Sequence, residues 1–166
     1  MTRSPRRARA LPALLLLVLA GPAGCDGGAK TGTTPAPLLP KSVRLHSFTG
    51  TRTFAAGGGV SGIEARVELR NQFDDATMAL GTCQFSLYEH RPRQGDPRGR
   101  RLDFWSIDLT DPQTNQKYWD SISRTYKIPL AWDKPIPVGT KFVLEVAFSA
   151  PEGPRLFDQI VRVSGE

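Results

Sequence analysis

Few side chains in this sequence have the chemistry of a reactive site. They are His46 and His90, Cys25 and Cys83, and the acidic groups Asp74-Asp75 and Asp108 with Asp111. A histidine beside a Ser or Cys would make a minimal hydrolase, because an imidazole within hydrogen-bond reach can activate the nucleophile. No G-x-S-x-G elbow, H-E-x-x-H, C-x-x-C or P-loop accompanies them. Cys83 alternates with Phe85 and Leu87. That spacing predicts a thiol inside a core, where it stays protonated and behaves as a small hydrophobe. The Asp groups offer oxygens that Ca²⁺ would accept, but neither has EF-hand spacing. Asp is common in turns because its carboxylate accepts nearby backbone N–H groups, so turn chemistry is the expectation. Two cysteines exclude a disulfide-stapled scaffold and a multi-thiolate metal site. The expectation is a chain without catalytic residues, metal or cofactor. The alternative is a small hydrolase or enzyme subunit using His46 or His90.

Charge is the other polar signal. The chain holds 22 Lys+Arg against 16 Asp+Glu, a formal charge of +6. Four of these arginines, Arg3, Arg6, Arg7 and Arg9, precede an apolar run, LPALLLLVLA at 11–20. Without residues 1–24 the balance is 18 against 16, or +2. Five of the remaining arginines (Arg91, Arg93, Arg98, Arg100 and Arg101) lie in the segment EHRPRQGDPRGRR at 89–101. It links two strands and has no bulky apolar residue, so it is expected as an exposed hairpin or long loop. It is a candidate site for an anionic partner, either lipid headgroups or an acidic polymer, or simply a solvated loop that favours solubility. Nucleic acid is not expected, because aromatic residues do not interleave with the basic ones.

A basic n-region, a short apolar h-region and a small-residue exit describe a secretory signal peptide, here residues 1–24. The apolar run is shorter than the roughly 20 residues that span a bilayer. The segment Leu19-Ala20-Gly21-Pro22-Ala23-Gly24-Cys25 resembles the lipobox of bacterial lipoproteins, with Pro22 where that family usually has an aliphatic residue. The resemblance implies cleavage before Cys25, a diacylated Cys25 thiol and a chain held in the cell envelope. Two acyl chains hold stably where one is marginal. Residues 25–40 are then a lipidated tether whose Gly, Pro and Thr content suits a flexible spacer.

From Lys41 onward the apolar period is two. Val43/Leu45, Ile63/Ala65/Val67/Leu69, Cys83/Phe85/Leu87, Trp105/Ile107/Leu109, Tyr126/Ile128/Leu130/Trp132, Phe142/Leu144/Val146/Phe148 and Ile160 to Val163 each predict a strand. Gly, Asp and Pro clusters separate them. Short connections exclude the crossover helices of a parallel sheet. The fold expected for residues 41–166 is all-β, a single antiparallel β-sandwich of about seven strands with immunoglobulin-, fibronectin- or C2-like topology. Pro129 marks its strand as an edge or a bulge, and Asp111-Pro112 can cap a short helix. Tyr118, Trp119, Tyr126 and Trp132 are expected to pack the core rather than line a ligand groove.

The segments VELRNQFDD at 67–75, GTCQFSLY at 81–88, YWDSISRTY at 118–126 and IPL at 128–130 resemble a group of small envelope lipoproteins of unknown activity. That resemblance implies fold and location only. Together these features predict a membrane-tethered, non-catalytic envelope lipoprotein, facing the periplasm. Its sandwich would bind or scaffold another envelope component.

Overall fold

The computed structural model describes residues 39–54, 60–92, 95–134 and 136–165. The expected signal peptide, Cys25 and Arg93 lie outside the described residues. The described chain is mostly β, in two antiparallel sheets of five and four strands with one short helix. Its strands are β1 (Ser42–Leu45), β2 (Gly50–Phe54), β3 (Val60–Arg70), β4 (Thr82–His90), β5 (Arg98–Asp108), β6 (Trp119–Asp120), β7 (Thr125–Ala131), β8 (Lys141–Ser149) and β9 (Leu156–Val163). The helix α1 (Pro112–Tyr118) joins β5 to β6.

Each of the seven alternating runs falls on a strand, with Leu109 and Trp132 just beyond the ends of β5 and β7, and β2 and the two-residue β6 add to them. One sheet has the order β1-β3-β7-β6, with β2 also paired to β3; the other has the order β5-β4-β8-β9. β1 pairs with the Val67–Arg70 half of β3 and β2 with the Val60–Glu64 half, so together they run along its whole length.

Alternation fixes what each sheet buries. Ile63, Ala65, Val67 and Leu69 of β3 and Tyr126, Ile128 and Leu130 of β7 form one wall of the core. Cys83, Phe85 and Leu87 of β4 and Phe142, Leu144, Val146 and Phe148 of β8 form the other. A fully buried Leu or Phe side chain contributes about 1.5–3 kcal/mol, so these paired walls are the main source of stability. The outward face of β3 is a charge ladder. Glu64 meets Arg66 at 3.1 Å and Lys127 at 3.4 Å, and Arg66 meets Asp120 at 3.0 Å.

Two local expectations rest on proline. β7 has β3 on one side and β6 only at Thr125 and Tyr126. From Lys127 onward it is therefore an edge, where the missing N–H of Pro129 is tolerated. Asp111 is the N-cap of α1, accepting the Thr114 N–H at 2.8 Å, with Pro112 in the first turn.

Candidate functional site

The two histidines fall at different places in the sandwich. His46 follows β1; its Nδ1 accepts the Phe48 N–H at 3.4 Å, and its ring stacks on Phe48 at 4.9 Å between centroids. Ser47 Oγ is 3.5 Å from the same nitrogen, but the pair is adjacent in the chain and exposed rather than set in a cleft. His90 closes β4 opposite Arg98.

Cys83 is fully buried between the sheets, and desolvation pushes its thiol up to about 12. A thiol held protonated through the neutral range is a poor nucleophile. Its neighbours explain the burial, because Cys83 pairs with Ile107 on one side and Phe148 on the other.

Asp108 and Asp111 are committed to local turn and cap bonds. Asp108 Oδ1 accepts from the Thr110 N–H at 2.8 Å and from its hydroxyl at 2.6 Å; these bonds hold the carboxyl below its ordinary range. Asp111 is lowered in the same way by the Thr114 hydroxyl and N–H. Asp74 adopts a left-handed φ of 64° in the turn after β3 and pairs with Arg70 at 3.0 Å. Among the described residues no three His, Cys, Asp or Glu side chains converge as a metal site would require.

Of the two expected forms the arginine segment is a hairpin, with arms longer than the apolar alternation indicates. β4 continues to His90 and β5 begins at Arg98, so Arg98, Arg100 and Arg101 lie on a strand and the turn is confined to residues 91–97. The cause is backbone pairing. Tyr88 opposes Arg101 and His90 opposes Arg98, with a register shift between them. Three of these cations have partners. Arg98 is held by Asp96 at 2.9 Å and by Glu145, which raise its guanidinium pKa, while the bonds from Arg98 lower the pKa of Asp96. Arg100 meets Glu89 at 2.7 Å, and Arg101 lies over the Phe104 ring at 5.9 Å. Arg91 is exposed.

These strands bring together residues that sequence spacing did not join. Arg98, Glu145, Phe157, Asp158 and Gln159 line a shallow open groove on the four-stranded sheet, with the Asp158 carboxylate turned inward to the Leu45 N–H. Arg98 lies 5.9 Å from the Tyr88 ring centroid, and Arg155 lies 5.0 Å from that of Phe157. Phe104 and Phe157 are both exposed. The available signal was the polar phase of the strands, since Phe104 and Phe157 sit at positions where alternation would place a polar side chain. This face can make aromatic and guanidinium contacts.

The aromatic cluster packs inward. Tyr126 is fully buried, Trp119 meets it edge-on at 5.1 Å, and Trp132 packs against the core. The Tyr126 hydroxyl accepts the Ala79 N–H at 3.0 Å and donates to Asn115 Oδ1 at 2.9 Å. Asn115 Nδ2 then donates to the carbonyls of Ala79 and Leu109, both at 2.8 Å. This buried network ties α1 to the start of the four-stranded sheet.

Comparison of the chain with protein-family models, with curated proteins and with solved structures finds no match in any of the three. The class that the observations define is a β-sandwich domain.

Proposed function

We propose that this chain is a lipid-anchored envelope module without catalytic activity, whose sandwich holds or contacts another envelope component. The observation that carries the reading is the N-terminal order of residues. A basic segment, an apolar run and small residues lead to Cys25, ahead of a β-sandwich that begins at Ser42. In this reading Cys25 carries the acyl chains and residues 26–40 give the domain reach.

Strand order supports an immunoglobulin-like assignment for the domain. β1, β3, β7 and β6 correspond to A, B, E and D, and β5, β4, β8 and β9 to C′, C, F and G. The outward face of the second sheet supports a binding role. Exposed Phe104 and Phe157, each with an arginine over its ring, are the residue types enriched at protein interfaces. The partnered state of Arg98 and Arg100 favours such a contact over a free basic patch for an anionic polymer.

The test is Cys25→Ser in cells, read by fractionation. The variant should move from the membrane to the soluble fraction. Membrane association equal to that of the native chain would overturn the anchor.

A further inference from the structure

Four large apolar side chains stand open to solvent at one end of the sandwich. Phe73 is 65% exposed, Met78 41%, Leu80 48% and Ile122 95%. Strand register brings their segments together. Arg70, the last residue of β3, is bridged to Ala76 in the connection that carries Phe73 and Met78. The β6–β7 turn carries Ile122, and Tyr126 just after it lies opposite Val67 near the same end of β3. Arg124 Nη2 donates to the Ala76 carbonyl at 2.6 Å and ties the two turns to each other.

Both tips are held by their own hydrogen bonds. Asp120 Oδ1 accepts the N–H of Ile122 at 3.0 Å and of Ser123 at 3.3 Å. Asn71 Oδ1 accepts the N–H of Phe73 at 2.9 Å and of Asp75 at 3.1 Å. Such tips ordinarily carry polar residues. Here a fixed backbone presents a phenylalanine and an isoleucine outward.

The point where the chain enters the domain bears on what covers them. Lys41 N–H donates to the Arg70 carbonyl at 2.7 Å, so the segment leading from Cys25 arrives at this same end. A Gly/Pro/Thr-rich segment of the length of residues 26–40 has an rms reach of about 20 Å. β3, with 11 residues, spans about 35 Å at roughly 3.3 Å per residue. An anchor on Cys25 therefore leaves the entry end within about 20 Å of the headgroups, a reach shorter than β3 is long, so this end meets the surface more readily than the far one. Charges of both signs stand here, Lys41 and Arg124 against Asp75 and Asp111, so apolar contact dominates over the electrostatic field.

We propose that the Lys41 end of the sandwich docks on a lipid bilayer, with Phe73 and Ile122 entering it. This rests on the reading of Cys25 as the anchor. The test places nitroxide labels on Phe73→Cys, Ile122→Cys and Val138→Cys, each in the full lipidated chain on phosphatidylethanolamine/phosphatidylglycerol vesicles. Val138 is 86% exposed at the opposite end, where Gly139 N–H bonds to the Ser164 carbonyl, and serves as the aqueous control. Cys83 is buried and need not be removed. The ratio of oxygen to water-soluble nickel accessibility should be several-fold higher at 73 and 122 than at 138. Adding Ile122→Asp to the Phe73→Cys chain should return the label at 73 toward the value at 138; a ratio that this charge does not move overturns the docking. If the chain floats with the vesicles while all three labels are equally wet, the docking is overturned and the anchor stands. A chain that does not float overturns both. Labels buried in native envelope membranes but wet on these vesicles assign the surface to a protein partner and overturn the lipid contact.

Discussion

Removing one oxygen atom from the core tests the packing between α1 and the two sheets. In Tyr126→Phe the ring stays and the hydroxyl goes. Two polar atoms then lose their partners, the Ala79 N–H and Asn115 Oδ1. Each unsatisfied buried group costs about 1–3 kcal/mol; the Ala79 N–H is only part-buried and keeps part of its solvation, so the variant should lose about 2–4 kcal/mol rather than the full sum. Asn115→Ala removes the donor to two carbonyls, those of Ala79 and Leu109, and should cost a similar amount. The two changes act on one network, so the double variant should cost less than the sum of the singles, with a coupling of about 1–2 kcal/mol. Urea unfolding of the three variants measures these differences as midpoint shifts at constant slope. A Tyr126→Phe loss below about 0.5 kcal/mol, or strict additivity, would refute a network that acts as a unit.

Two further outcomes follow from the core. The folded-state pKa of Cys83 is raised to about 12 from 9.0, so the folded state retains a proton that the unfolded state releases above pH 9. Its contribution is fully present below pH 9 and is lost as pH rises toward 12, by about 1.4 kcal/mol per pH unit. Burial also raises the pKa of Tyr126, which adds to the loss above its ordinary range. Cys83→Ala should flatten the fall in stability between pH 9 and 11, measured by denaturant titration at each pH; an unchanged slope would count against the buried thiol. Gly62→Ala would place a Cβ 2.2 Å from the Leu130 carbonyl oxygen and 2.8 Å from Phe54, whereas the same change at Gly95 meets nothing within 4 Å. Gly62→Ala should cost more than about 3 kcal/mol and Gly95→Ala less than about 0.5 in thermal unfolding, and similar values for the two would contradict the close approach of β2, β3 and β7.

What the sequence made legible follows from how each element is stabilised. β3, β4, β7 and β8 turn every second side chain into the core, so the apolar period of two reports them directly, although Val143 and Ala147 of β8 are buried in the other phase too. The cap at Asp111 and the edge at Pro129 are local chemistry and were equally readable. β2 is different, because GTRTF joins the sheet by backbone pairing to β3 and carries little apolar alternation. The first half of β5 was hidden for the same reason. Arg98 to Arg101 contribute no apolar core side chain, so a strand held by backbone bonds to β4 has the composition of a loop. Asp158 offered no signal either; its carboxylate accepts the Leu45 N–H at 2.6 Å across the sandwich. The exposed Phe73 and Ile122 were visible as apolar residues among turn formers, but their nearness depends on strand register.

The antiparallel pairing of β1 with β3 sets the mechanics of the domain. A pull on the chain ahead of Lys41 acts along β1, parallel to the strand and across the bonds that join Ser42–Leu45 to Val67–Arg70. Those bonds are loaded together, in shear, rather than opened singly from one end. Behind them the Leu45–Asp158 contact and the His46 N–H to Arg66 carbonyl bond lie in series. The first strand is short, yet its direction makes it the link through which tension on the chain ahead of Lys41 would enter the sandwich.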